Sequence, residues 1–141
     1  MLKTLKEIES WLDLMKIEDY SINKDLTVDV KGEVDISKQN LKEIPVQFGE
    51  VTWSFLCHHN KLKNLVGCPL NLWEDLICYN NQLETMKGCP PVVYILQCYN
   101  NPNLKSLKGA KVIEGFINCD EQLYNDEIFL KNRLSWENKS T

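Results

Sequence analysis

Two stretches decide how this chain is read: Phe55–Leu62, FLCHHNKL, and Leu76–Leu83, LICYNNQL. Both follow L-x-C-x-x-N-x-L, with Phe55 in place of the first Leu in one of them. LQCYNNPNL (Leu96–Leu104) fits with one insertion, and VDISKQNL (Val34–Leu41) fits with Ile36 for Cys and Gln39 for Asn. Working outward, Leu41, Leu62, Leu83 and Leu104 lie 21 residues apart, and Ile44, Leu65, Met86 and Leu107 each follow by three. Cys57, Cys78, Cys98 and Cys119 recur at 21, 20 and 21, the single 20 being assigned to an extra residue near Pro102. A fixed period of this length marks a repeat architecture.

Each unit opens with alternating apolar positions, the period of a half-buried strand. Val34 and Ile36, Phe55 and Cys57, Leu76 and Cys78, Leu96 and Cys98, and Ile117 and Cys119 are expected to point inward. Six residues before each unit's last inward position stands another aliphatic: Val30, Val51, Leu72, Val92 or Ile113. One coil cannot bury its apolar edge alone, whereas stacked coils form a continuous parallel sheet. Five strands about 4.8 Å apart make a solenoid roughly 20–25 Å long. Gly67-Cys68-Pro69, Gly88-Cys89-Pro90 and Gly109-Ala110 mark the next bend, where Gly permits positive φ and Pro stops pairing.

Over about residues 26–119 the pattern resembles the short leucine-rich repeat of bacteriophage and bacterial proteins. The run from Tyr20 to Ser37 resembles the N-terminal segment of such phage proteins, and Cys89-Pro90-Pro91 resembles the return segments of bacterial effector repeats. The resemblance implies an α/β-type solenoid with about five parallel strands. It also implies that Asn60, Asn81 and Asn101 turn inward to bond the backbone of the turn, and that outward strand residues line a concave binding face.

The ends read as helical caps, giving an N-terminal cap at 1–25, a solenoid at 26–119 and a C-terminal cap helix and tail at 120–141. Thr4 and Glu7 have capping-box spacing. Leu5, Ile8, Leu12 and Met15 then share one face, with Trp11 beside them, predicting a helix over about 4–16. After Cys119, Asp120-Glu121-Gln122 replaces the expected turn. Asn125 or Asp126 is expected to cap a second helix through about Trp136, with Ile128, Leu130 and Leu134 partly buried. Glu137–Thr141 is expected to fray.

The chain of 141 residues carries a net charge of -4, which weighs against a sequence-independent nucleic-acid binder. No apolar run reaches the roughly 18 residues of a membrane span, and the N-terminus is too acidic for a secretory signal, so a cytoplasmic protein is expected. Six cysteines invite a disulfide or zinc reading. The repeat instead places four of them in one inward column and Cys68 and Cys89 on the return, as compact hydrophobes. No C-x-x-C pair exists, so neither a metal nor a cofactor is expected. Alternation sends Cys57 inward and His58 outward, which denies the chain a thiol–imidazole nucleophile. The expectation is therefore not an enzyme.

The outward columns supply a different expectation. Leu56, Ile77 and Gln97 stand just before the Cys column, and His58, Tyr79 and Tyr99 stand just after it. Asp75, Ile95 and Phe116 come three residues before it. Trp73 is expected to project outward. Trp53 and Tyr94 would face inward if alternation holds, or pack at the rim. Adjacent apolar and aromatic side chains of this kind mark an interaction surface. The leading expectation is a phage-encoded module that binds a host protein, as inhibitor or adaptor. The alternative is a self-associating, virion-associated structural protein, so a homo-oligomer stays open. An acidic decoy for a nucleic-acid-binding protein is a third reading, disfavoured by the small net charge. No membrane partner is expected.

Overall fold

The structure, a computed structural model, describes residues 1–140. It is a β-solenoid of about four turns with a repeat of about 21 residues, closed by a helix at each end. The front sheet has five parallel strands in sequential order: Val34–Asp35, Phe55–Leu56, Leu76–Ile77, Leu96–Gln97 and Ile117–Asn118. The ten residues expected to point inward in the five strand units, from Val34 and Ile36 to Ile117 and Cys119, are all buried. Leu62, Leu65, Leu83, Met86, Leu104 and Leu107 fill the interior from the opposite side of the coil.

The coil carries more than the one sheet expected. A flank sheet runs beside the first, with Tyr20–Ile22 antiparallel to Val28–Val30, followed by Phe48–Val51 and Asn71–Leu72 in parallel. Val92–Val93 and Val112–Ile113 continue that side as a separate parallel pair. The interruption has a chemical cause. Leu70 donates its N–H to the Phe48 carbonyl across the coils. The residue 21 positions on is Pro91, which has no N–H to give.

The flank sheet also corrects the register. Val93 is fully buried and Val92 is exposed, so Val93 and not Val92 takes the place that Val30, Val51 and Leu72 hold in the earlier coils. Four residues separate Val51 from Phe55 and Leu72 from Leu76, but only three separate Val93 from Leu96. The single 20 therefore arises from a corner shortened by one residue between the two sheets. The insertion at Pro102 comes afterwards and restores the 21-residue step by Leu104. Ile113 is half-buried.

Gly88 shows why glycine stands at the return. It has φ of +93°, and a Cβ there would collide with the Leu65 carbonyl of the preceding coil. Conformation and close stacking exclude a side chain together.

Helix α1 spans Leu5–Leu14 and is capped by Thr4, whose hydroxyl oxygen accepts the Glu7 N–H at 3.2 Å. Ile8 and Leu12 are buried, and Trp11 meets Phe48 of the second coil at a ring separation of 6.3 Å. Leu5, expected on the same face, is exposed because that face contacts the coil only from Ile8 onward. At the other end a 3-10 turn, Glu121–Leu123, leads into α2, Glu127–Ser140. Asp126 caps α2 by accepting the Ile128 N–H at 2.8 Å. Ile128 and Phe129 are half-buried, whereas Leu130 and Leu134 are exposed, contrary to expectation. The helix also continues past Trp136 to Ser140 where fraying was expected, and Thr141 lies outside the described residues. Its attachment is largely polar. Asn132 donates to the Ile113 and Gly115 carbonyls, and Lys139 donates to the Glu114 carbonyl. These bonds satisfy carbonyls on the last coil that would otherwise be an open edge.

Candidate functional site

The site is built on the turn that ends each front strand. Asn60, Asn81 and Asn101 stand there, 7%, 6% and 0% exposed. Asn81 Nδ2 donates to Cys78 O of its own coil at 3.1 Å and to Cys57 O of the preceding coil at 3.0 Å. Its Oδ1 accepts the Leu62 N–H at 3.0 Å. Asn60 and Asn101 repeat the arrangement one coil before and one coil after. Each amide thus staples two coils and satisfies backbone groups inside the molecule. The residue before each is left-handed: His59, Asn80 and Asn100 have φ of +56°, +53° and +55°.

This rigid turn fixes the column just before it. Tyr79 and Tyr99 stack with centroids 4.5 Å apart and planes 5° from parallel. His58 stacks on the other face of Tyr79 at 4.6 Å and 8°. The spacing is close to that of neighbouring strands, so the sheet itself sets the stack. His59 closes one side, its Nδ1 lying 2.7 Å from His58 Nδ1. Asn80 Nδ2 lies 2.8 Å from His59 Nε2. With Asn80 donating, His59 Nε2 accepts, so His59 carries its proton on Nδ1 and donates to His58. Desolvation, then the neighbouring His59, holds the His58 imidazole below its ordinary value. Tyr99 is pushed above its ordinary value by desolvation and then by Tyr79. At the far end Asp120 occupies the same column and accepts the Asn100 and Asn101 N–H groups, both at 2.8 Å.

The structure brings most of the expected residues together. Leu56, Ile77 and Gln97 are half-buried on neighbouring strands, with His58, Tyr79 and Tyr99 beside them in the next column. Ile95 is half-buried at the corner. Asp75 is tied into the frame, since its carboxylate accepts the Ile95 N–H at 3.1 Å and its own N–H donates to Ser54 Oγ at 3.3 Å. Two residues turn elsewhere. Trp73 leans toward the flank sheet, where its indole N–H donates to Glu50 at 3.3 Å. Phe116 packs edge-on against Trp136 of α2 at 6.0 Å.

Trp53 and Tyr94 are exposed, at 59% and 51%, so alternation does not carry through the corner. They join Trp73 on the ridge between the two sheets. His59 and Asn80 belong to the site although the outward columns did not single them out. Their sequence signal is the place before each ladder Asn, where positive φ recurs.

The thiols form the wall behind the stack. Five of the six are buried and Cys89 is half-buried, and all are free. Burial pushes Cys68, Cys78 and Cys98 well above the usual thiol range, and Cys89 and Cys119 up to about 12. A neutral buried thiol is neither a nucleophile nor a ready metal ligand. Among the described residues no three His, Cys, Asp or Glu side chains converge as a metal site, and no helix is long and apolar enough to cross a membrane.

No protein-family model, curated protein or solved structure matches this chain. The sequence and geometry above are what the functional reading rests on.

Proposed function

We propose that this chain is a leucine-rich-repeat binding module of the phage and bacterial type, without catalytic activity, that holds another protein on the outward face of its front sheet. The His58–Tyr79–Tyr99 stack carries the reading. Three rings are held rigid by the Asn ladder and are bordered by Leu56 and Ile77. A partner's apolar or aromatic anchor gains contact there while little conformational freedom is lost, which is the physics of a binding hot spot. The resemblance of the repeats to phage and bacterial ones makes a host cytoplasmic protein the expected partner, inhibited or redirected by the contact. The test is a tagged pull-down from bacterial lysate, read by mass spectrometry, with Tyr79→Glu in parallel. One protein retained by the wild type and lost by the variant supports the reading. Equal retention by both removes the front face as the site.

The corner ridge favours a second reading. Trp53, Trp73 and Tyr94 lie on consecutive coils and are more than half exposed. A second copy of the chain covering that ridge would make the protein self-associating. Sedimentation velocity separates the two readings: a dimer that resists dilution and is lost in Trp73→Glu belongs to the ridge, and a monomer at all concentrations excludes it.

A further inference from the structure

The coil has a third side, opposite the two sheets, made of residues 40–46, 61–67, 82–88 and 102–109. It carries Lys42, Lys61, Lys63, Lys87, Lys105 and Lys108, all exposed, against Glu43 and Glu84. From residue 31 to 118, the sheets and corners carry Glu33, Asp35, Glu50, Glu74, Asp75 and Glu114 against Lys31, Lys38 and Lys111. The net charge of -4 therefore conceals a segregation around the solenoid axis: six of the nine lysines between residues 31 and 118 lie on this one side. We propose that this third side is a sequence-independent docking surface for the phosphate backbone of duplex nucleic acid.

Three observations select that partner. Lys42, Lys61 and Lys63, with Gln82, surround one open hollow of about 210 Å³ with no carboxylate among its walls. Among the described residues none of the six lysines has a salt-bridge partner. Like charges held around one hollow repel each other, and a bound anion relieves that repulsion. Second, the side lacks what a protein interface needs at its centre. Val66 is the one large apolar residue exposed on it, at 37%, while the aromatic groups lie on the sheets and the ridge. Third, the exposed neighbours are Asn64, Gln82, Thr85, Asn103 and Ser106. Lysines interspersed with amide and hydroxyl groups are the residue set that contacts phosphate and sugar. With no Arg on this side to read a base edge bidentately, binding is independent of sequence.

The four coils span roughly 15 Å. That length of duplex presents about four phosphates on one strand, so log K against log salt has an expected slope of about −3 to −4. The experiment is fluorescence anisotropy of a labelled duplex DNA of about 24 base pairs, titrated between about 25 and 100 mM salt, over which affinity falls about 100-fold. The triple variant Lys42→Glu, Lys61→Glu, Lys63→Glu is expected to lose binding about 100-fold at the lower salt. A control with Lys31→Glu, Lys111→Glu and Lys131→Glu has the same net charge away from the third side and is expected to stay within about threefold. Lys→Gln at positions 42, 61 and 63 gives a milder loss and covers the case in which the reversed triple fails to fold, which thermal melting reports.

No binding by the wild type at the lowest salt overturns the proposal, as does equal loss in the third-side and control variants. Capture of an acidic protein that depends on Lys42, Lys61 and Lys63, without duplex binding, overturns it in favour of a protein partner. The proposal is independent of the front-face reading: Tyr79→Ala is expected to leave duplex binding unchanged, so either can fail alone.

Discussion

The front and flank sheets are built from the same coils, yet one is continuous and the other is broken. Every front strand is followed by a residue of the Cys column or its Ile36 counterpart, and in the three middle coils a ladder Asn comes three residues later. That amide bonds the carbonyls of two coils at once. On the flank side such a device occurs once and does not repeat: Gln47 Nε2 donates to Phe48 O at 2.9 Å and to Cys68 O of the next coil at 2.7 Å. Asn71 reaches only the exposed Glu50 carboxylate, at 3.2 Å, and Pro91 removes a donor where the next coil needs one. A solenoid side stays in register where buried polar side chains repeat with the coil. It is interrupted where no such bond repeats and a proline removes the backbone donor of the next coil.

The largest expected effect tests this contrast directly. Asn81→Ala leaves the Leu62 N–H and a share of the Cys57 and Cys78 carbonyls without partners, for an expected loss of about 3 kcal/mol in urea unfolding. Asn71→Ala on the flank sheet is expected to stay within about 0.5 kcal/mol. Similar losses from both would erase the distinction between the sheets.

Next comes the stack. Tyr79→Ala removes two parallel ring contacts at once and is expected to cost about 1–2 kcal/mol. Trp73→Ala, on the exposed ridge, is expected to cost less than about 0.5 kcal/mol in the same assay.

A smaller effect depends on pH. The folded state holds the His58 pKa below the ordinary 6.5, first by desolvation. Below about pH 6.5 the unfolded chain therefore binds more protons, and stability falls as pH drops through that value toward the lower folded pKa. Protonation of His58 Nδ1 also removes the acceptor for His59. Urea midpoints at pH 7.5 and 5.5 are expected to differ in the wild type, and the difference is expected to shrink in His58→Gln.

The smallest effect lies at the break in the flank sheet. Pro91→Ala restores an amide which, by the repeat, faces Pro69 of the preceding coil. Little change in stability is expected, since the gained bond is offset by the lost rigidity of proline. Hydrogen exchange reports the outcome: a protected amide at position 91 means that the two parts of the flank sheet have joined.

The front sheet was legible because its determinants are local and repeat: an alternation of period two, a Cys column and an Asn three residues later. The same regularity placed His58, Tyr79 and Tyr99 in one outward column. It did not carry through the corner: Val93-Tyr94-Ile95-Leu96 is one residue short, which makes Val93 and not Val92 the buried aliphatic, and Trp53 and Tyr94 turn outward where alternation points them inward. The caps were legible at their first turns, through Thr4 and Asp126. They were not legible in the burial of Leu5, Leu130 and Leu134, since helical period defines a face but not how much of it another element covers.

The sequence by itself determined the coil: its length, its inward residues, its stapling asparagines and its glycine at the return, because each depends on chain geometry within a single repeat. Only the tertiary structure decided that the coil has two sheets, that three rings stack at strand spacing, that Trp73 turns away from them and that six lysines gather on one side. These features exist only between coils. They follow from how one turn lies on the next, and a one-residue shortening at a corner is enough to shift which side chain each turn presents to its neighbour.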